Sequence, residues 1–260
     1  MPAAIQPGLS TSDRIQYGFL RWLSPGEPRY MSGASYKDKS KIRVLLGDRM
    51  LDELRGKSVV DFGCGDGEDS VYLAKDIALE VAGIDIRESV LEIARERALR
   101  EGVAEKCHFC TRVDQPVDAI VSLDAFEHFA DPAGVLKSMY GLLKPLGAIY
   151  VSFGPTWYHP LGGHLFSVFP WAHLVFSEAA LLRWRSHLYD DGATRFSQVA
   201  GGLNQMTISR FVRLVRESPL KFEFLEIVPI RRLRALHNRL TREFTTSIVR
   251  CKLVPKVCAA

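Results

Sequence analysis

Val59-Val60-Asp61-Phe62-Gly63-Cys64-Gly65-Asp66-Gly67-Glu68-Asp69 carries an apolar strand into three alternate glycines, with three carboxylates at the start of the next helix. Glycines at a strand-to-helix turn let the backbone approach a ligand closely and adopt dihedrals that other residues avoid. The acids select the kind of ligand. A helix N-terminus attracts anions, and a dinucleotide rests its pyrophosphate there. Asp66, Glu68 and Asp69 would repel it. The dinucleotide fingerprint also needs a third glycine where Glu68 stands, counting from Gly63 and Gly65. A ligand with cationic groups suits this loop better.

Downstream, Glu80-Val81-Ala82-Gly83-Ile84-Asp85-Ile86 predicts a second strand ending in an acid. Asp85 lies 24 residues beyond Asp61, one βαβ step, where a carboxylate can accept from both ribose hydroxyls. A helix is expected over 89–100 and a third strand over 108–112, which leaves Val113 and Asp114 at its edge. A fourth strand over 118–122 runs into Leu123-Asp124-Ala125-Phe126-Glu127-His128. A helix from Pro132 then ends at Lys144-Pro145-Leu146-Gly147, ahead of a fifth strand over 148–153.

The glycine loop resembles motif I of the class I S-adenosylmethionine (SAM)-dependent methyltransferases, and Ser122–His128 resembles the Ser-x-x-x-x-Glu-His pattern of their small-molecule group. Lys-Pro-x-Gly before a strand is a further shared feature. The resemblance covers residues 40–153 closely and the remainder in layout. It implies SAM as cofactor, with Asp61, Gly63, Cys64 and Gly65 in the binding loop and Asp85 on the ribose. Ile86 would lie flat on the adenine, Val113 and Asp114 at its edge, and Ser122 and Leu123 would complete the cofactor site. The implied fold is α/β: a Rossmann-like, doubly wound seven-stranded sheet, mostly parallel, with an antiparallel last strand and a lid insertion. The implied activity moves a methyl group to an O, N or C atom of a small, partly apolar metabolite by in-line displacement.

A chain of 260 residues with 47% hydrophobic content can bury a full α/β core. Met1–Ser12 lacks the basic start and apolar run of a secretory signal, and five cysteines without framework spacing fit a reducing cytoplasm. Cys107-His108-Phe109-Cys110 puts its two thiols on opposite faces of a strand. No second pair accompanies them, so buried thiols are favoured over a metal or redox site, and no metal is expected. From Thr207 onward the chain has a surplus of eight positive charges. That surplus could attract nucleic acid or an anionic membrane, but no recognisable RNA module accompanies it. A solvated helix over 231–242 is the preferred reading.

A helix over 207–217, a strand over 222–228, the basic helix and a strand over 245–253 would finish the sheet. The chain then divides into an N-terminal cap (1–55), a SAM-binding core (56–153), a lid insertion (154–206) and a C-terminal completion of the sheet (207–260). The insertion is rich in aromatic residues and histidines, and leaves the sheet at the edge where open α/β sheets bind ligands. Trp157, Tyr158, His159, Trp171 and His173 are therefore candidate substrate contacts. Four readings stay open: a pocket lid, ordinary core or dimer packing, a metal site at His159, His164 and His173, or an interfacial membrane patch. Tyr17 and Tyr36 of the N-terminal segment are candidates to close the pocket, or to pack on a second subunit in a homodimer.

A hydroxyl or carbon acceptor needs a base, and histidine suits that task near neutral pH. His128, just after the fourth strand, is the first candidate, alongside its reading as a packing or capping residue. His164 is the second. Two other chemistries remain in view: SAM-driven cyclisation or elimination, and nucleic-acid methylation, for which the Asn/Asp-Pro-Pro-Tyr motif is lacking.

Overall fold

In the computed structural model, residues 9–24 and 41–256 are described, apart from 167, 190–191 and 200–201. Tyr36 lies outside the described residues. The strands are β1 (Ser58–Phe62), β2 (Glu80–Ile84), β3 (Cys107–Cys110), β4 (Val117–Leu123), β5 (Leu143–Phe153), β6 (Leu220–Pro229) and β7 (Thr246–Pro255). They form one seven-stranded sheet in the order β3-β2-β1-β4-β5-β7-β6. The first five run parallel, and β7 lies antiparallel between β5 and β6. From β1 the chain winds outward to β2 and β3, then returns to β4 on the other side of β1. That reversal opens a crevice at the C-terminal ends of β1 and β4, the place where such sheets bind ligands.

Helices cover both faces. On one, α2 (Lys41–Glu53), α3 (Glu68–Asp76) and α4 (Glu88–Arg100) bury Leu45, Leu73 and Leu91 against Val59, Val81 and Val121. On the other, α5 (Pro132–Gly141) and α8 (Ile208–Glu217) bury Met139 and Phe211 against Val60, Ile120 and Ile149. Adjacent Val59 and Val60 serve opposite faces because successive strand side chains alternate. Phe126 is fully buried at the crevice end of the second face, with ring contacts to Phe129, Phe153 and Phe211. Phe126→Ala should therefore destabilise the fold by about 3–5 kcal/mol, read from chemical denaturation.

A third apolar cluster lies apart from the sheet. Helix α1 (Thr11–Leu23) places Leu20 among Phe166, Phe176, Leu181, Trp184 and Phe196 of the insertion. The inserted chain includes two helical segments, α6 (Ala172–Val175) and α7 (Glu178–Arg185). Polar ties fix α1 to it. Asp13 accepts from the Ser177 hydroxyl at 2.6 Å, Gln16 from the Ser177 N–H at 2.7 Å, and the Trp184 indole donates to the Ser24 carbonyl at 2.8 Å. Hydrophobic periodicity in this segment is weak, but Ser10 and Asp13 form a capping box that marks the start of α1.

One helix is kinked, and one expected helix is replaced. Helix α2 is kinked at Gly47, whose dihedrals (φ 74°, ψ 160°) are not helical. In place of a continuous basic helix over 231–242 there is a 3₁₀ turn at Arg231–Leu236, with no buried residue, and one helical turn, α9 (Arg242–Thr245). The Asn238 side chain interrupts it by accepting from Leu240 N–H at 2.8 Å and Thr241 N–H at 3.2 Å, a local turn that competes with helix. Arg231, Arg232 and Arg234 offer no apolar stripe to hold a helix down.

Candidate cofactor and acceptor site

The glycine loop is pinned over the end of β2: the Gly63 and Cys64 N–H groups both donate to the Ile84 carbonyl, at 2.8 and 2.9 Å. Gly67 enters α3 at φ +76°, and a Cβ there would lie 2.7 Å from both Ala94 and the Phe109 ring, so helix packing dictates this glycine. At Gly65 (φ +54°) nothing lies within 4 Å of the same position, so its backbone faces open space. There a cleft of about 190 Å³ opens between the loop, the end of β2, and Leu123 and Asp124 at the end of β4. A larger hollow, about 360 Å³, lies between α2 and β6–β7, away from the crevice. Its charges are already matched by Lys252 with Glu53 and Glu223 and by Arg250 with Glu226.

Carboxylates dominate the cleft. Asp61 is buried at the end of β1 and accepts from the Ser70 hydroxyl at 2.5 Å. Burial, reinforced by Asp69, pushes its pKa up to about 7 against the opposing pull of Ser70 and Lys41. Lys41, the first residue of α2, spans the cleft with its ammonium 3.2 Å from Asp69 and 3.6 Å from Asp124. Burial opposes that charge, but the two acids outweigh it and hold Lys41 above the ordinary lysine range. Asp85 accepts from the Gly65 N–H at 3.2 Å and from Arg87 through its backbone (3.0 Å) and guanidinium (3.1 and 3.3 Å). Burial would raise Asp85, yet Arg87 and Gly65 together keep it below the usual carboxylate range. Ile86 stands next to it, 92% exposed.

The remaining cofactor candidates are placed differently. Ser122 lies beneath the cleft, fully buried, and donates to the Phe62 carbonyl at 2.9 Å. The Asp114 side chain is turned outward onto Arg112 at 2.6 Å, and Val113 is half-buried beside it. The Cys64 thiol is buried, donates to the Gly65 carbonyl and is pushed well up in pKa by burial, which makes it inert. Neither Lys41 nor Arg87 stood out as a cofactor-site residue in the sequence. Arg87 has a local signal, two residues beyond Asp85, whereas Lys41 reaches its partners only through tertiary structure.

Beyond β4 the segment 124–128 meets the insertion. Glu127 is buried, neither carboxylate oxygen has a hydrogen-bond partner, and burial with Asp124 nearby raises it well above the usual range. His128 Nδ1 lies 2.7 Å from the Gly202 carbonyl. A carbonyl only accepts, so Nδ1 carries a proton, and in the neutral ring the lone pair is then on Nε2. The His164 ring packs edge-on to His128 at 5.2 Å, in a backbone of positive φ (50°). Its Nε2 is shut off from solvent and has no hydrogen-bond partner.

The other insertion candidates hold the insertion itself together. His173 Nε2 pairs with the Trp157 carbonyl at 2.6 Å and its ring packs on Trp157, while His159 Nδ1 accepts from the Leu161 N–H at 2.9 Å. The Trp171 indole donates to the Tyr158 carbonyl at 2.9 Å, and the Tyr158 ring packs on Phe244. The Tyr17 hydroxyl meets His187 Nε2 at 2.6 Å, which joins α1 to the chain after α7. Among the described residues no group of three or more His, Cys, Asp or Glu side chains is placed to hold a metal ion.

Burial depresses His164 to about 3 and His159 to about 4. An unfolded histidine takes its proton near 6.5, so between that value and the folded ones the unfolded chain binds more protons and stability falls as pH falls. The melting temperature should drop between about pH 7.5 and pH 5 by this linkage, and less in a His164→Gln variant. An equal drop in both proteins would remove His164 from the account.

The donor set fits a cofactor with two cationic centres and a ribose. Asp61, Asp69 and Asp124 face the position for positive charge, Asp85 supplies acceptors for a diol, and Gly65 leaves the backbone bare. It does not fit a pyrophosphate. Residues 60–151 match the family model described as a methyltransferase domain. Over those residues the chain carries a methyltransferase domain. SAM is its cofactor.

Relatives agree with the domain. Over 107 residues the chain is 36% identical to a ubiquinone biosynthesis O-methyltransferase of Neisseria meningitidis serogroup C, a match covering 38% of this chain and 45% of that protein. An enzyme of the same name from Coxiella burnetii is 34% identical over 104 residues, covering 38% of this chain and 44% of that protein. The chain therefore matches under half the length of these relatives. The fold extends further than the sequence match. An O-methyltransferase from a trans-AT polyketide multienzyme of Brevibacillus brevis, solved with S-adenosyl-L-homocysteine, superposes with a TM-score of 0.55 at 15% identity, over 96% of this chain and 80% of that one. The [4+2]-cyclase SpnF superposes at 0.54 with 15% identity, over 96% of this chain and 98% of that one. The chain thus shares its fold with an O-methyltransferase and with a cyclase.

Proposed function

We propose that this protein transfers the methyl group of SAM to a hydroxyl oxygen of a small, partly apolar metabolite. The observation that carries the reading is the His128–His164 pair, with His128 four residues along the chain from Asp124 of the acid-lined cleft. SAM supplies an electrophilic methyl on a sulfonium; the chain's own residues do the rest. Asp85 orients the ribose, and Asp61 and Asp69 face the cationic end. His128 Nε2 takes the acceptor proton, with Nδ1–H held by Gly202 so that the ring cannot present the wrong nitrogen. His164 buttresses that ring. The insertion 154–206, with α1 packed on it, acts as the lid that keeps water away from the reacting atoms. Trp157 and Tyr158 belong to the lid framework in this reading, and the cytoplasm is the proposed compartment. No helix among the described residues is long and apolar enough to cross a membrane.

An O-acceptor is favoured over nitrogen because an amine needs only to be neutral, whereas a hydroxyl needs the base that the fixed His128 tautomer provides. The names of the matched relatives point the same way. The test is S-adenosylhomocysteine release with matched aromatic acceptors bearing a hydroxyl, an amine or neither. Turnover with the hydroxyl compound alone supports the reading. Equal turnover with the amine would remove the need for a base.

A further inference from the structure

We infer that the arginine-rich segment between β6 and β7, residues 230–245, is a docking surface for an anionic phospholipid bilayer. Its 3₁₀ turn, Arg231–Leu236, buries no residue. Three apolar side chains are nonetheless held out in water: Leu236 is 61% exposed, Leu240 90% and Phe244 44%. Local ties fix the turn that presents them. The Thr241 hydroxyl donates to the Leu236 carbonyl, the His237 ring pairs with the Thr245 hydroxyl at 2.8 Å, and the Ile230 N–H donates to the Thr245 carbonyl at 2.8 Å. A single exposed leucine is ordinary. Here three large apolar groups recur between residues 236 and 244, interleaved with cations.

Charge selects the occupant. The segment holds Arg231, Arg232, Arg234, Arg239 and Arg242 against one acid, Glu243. That acid is engaged at the start of α8, where it accepts from the Ile208 and Ser209 N–H groups at 3.0 and 2.9 Å and from the Ser209 hydroxyl at 2.6 Å. Arg231, Arg232, Arg234 and Arg239 are exposed, and among the described residues none of the four has an ion-pair partner. Such a concentration of uncompensated cations attracts an anionic surface. The leucines decide which one. A nucleic acid would use the arginines but leave Leu236 and Leu240 in water, and the one aromatic ring, Phe244, is already packed on Tyr158 at 5.1 Å. A protein partner gathers its apolar contacts in a charge-poor centre, whereas here leucine and arginine alternate along the chain. Alternation suits a bilayer interface, with the apolar groups between the lipid heads and the guanidiniums at the phosphates. Strands β5 and β6 both run antiparallel to β7, so the segment starts at the same edge of the sheet as the insertion. Docking there sets the insertion against the bilayer.

The test is co-sedimentation of the full chain with vesicles of phosphatidylcholine alone and of an equal mixture with phosphatidylglycerol, without any methyl acceptor. Wild type should pellet with the mixed vesicles, stay in solution with phosphatidylcholine, and be released by salt. A Leu236→Ser/Leu240→Ser variant keeps every arginine, yet should bind the mixed vesicles roughly tenfold or more weakly. An Arg232→Ser/Arg239→Ser variant should lose roughly as much. Both should keep the wild-type melting temperature and S-adenosylhomocysteine affinity, because all four side chains are exposed. Absence of pelleting with the mixed vesicles overturns the inference. So does unchanged binding by the leucine variant, which would leave a purely ionic site of the kind a nucleic acid or an acidic protein uses. Because no acceptor is involved, these outcomes are independent of the proposed reaction.

Discussion

A His128→Ala variant is expected to turn over about 10²- to 10⁴-fold more slowly than wild type with a hydroxyl acceptor, the range for loss of a positioned base. The effect should fall on kcat, because His128 is placed to act on the proton that leaves during methyl transfer and does not line the cofactor cleft. S-adenosylhomocysteine affinity should stay within roughly twofold of wild type, since the interaction lost is made with the acceptor. His128→Gln distinguishes chemistry from packing: it can still donate to the Gly202 carbonyl yet cannot take a proton at neutral pH. It should be nearly as slow as the alanine variant. Full activity in both variants would return His128 to the role of a packing residue.

The second large effect is on cofactor binding. Asp85→Ala should weaken SAM and S-adenosylhomocysteine by at least about a hundredfold, since two hydrogen bonds to a charged group contribute about 1.5–3 kcal/mol each and the loop loses an anchor at Gly65. Titration calorimetry reads this directly. Arg87 now competes for the same carboxylate. Arg87→Ala should therefore leave binding unchanged or tighten it, opposite in sign to Asp85→Ala. A loss of affinity with Arg87→Ala would mean that the guanidinium itself contacts the cofactor.

The acid-lined cleft of the candidate site was legible because its signals are local. A strand, alternate glycines and a helix start are consecutive in sequence, and Asp85 lies one crossover away. Ser122 and Asp114 show the limit of such reasoning. A pattern places a residue at a strand end, but only packing decides whether its side chain faces the cleft, the Phe62 carbonyl or a solvent-exposed arginine. The segment after β5 was legible as an insertion, but not as a partner of α1. Asp13 and Ser177 are 164 positions apart, and neither sequence names the other. Lys41 escaped for a related reason: it opens a helix that covers the sheet, and only the fold carries its ammonium between Asp69 and Asp124. The basic helix over 231–242 failed on chemistry, where the Asn238 side chain outcompeted a helix with no apolar face.

Methyl transfer itself is tested by incubating the full chain with methyl-tritiated SAM and an aromatic hydroxyl acceptor. The account predicts S-adenosylhomocysteine and tritium in the acceptor in equal amounts, with both lost in Asp85→Ala at SAM concentrations that saturate wild type. Methylthioadenosine as the product, or cofactor consumed with no tritium in the acceptor, would contradict it.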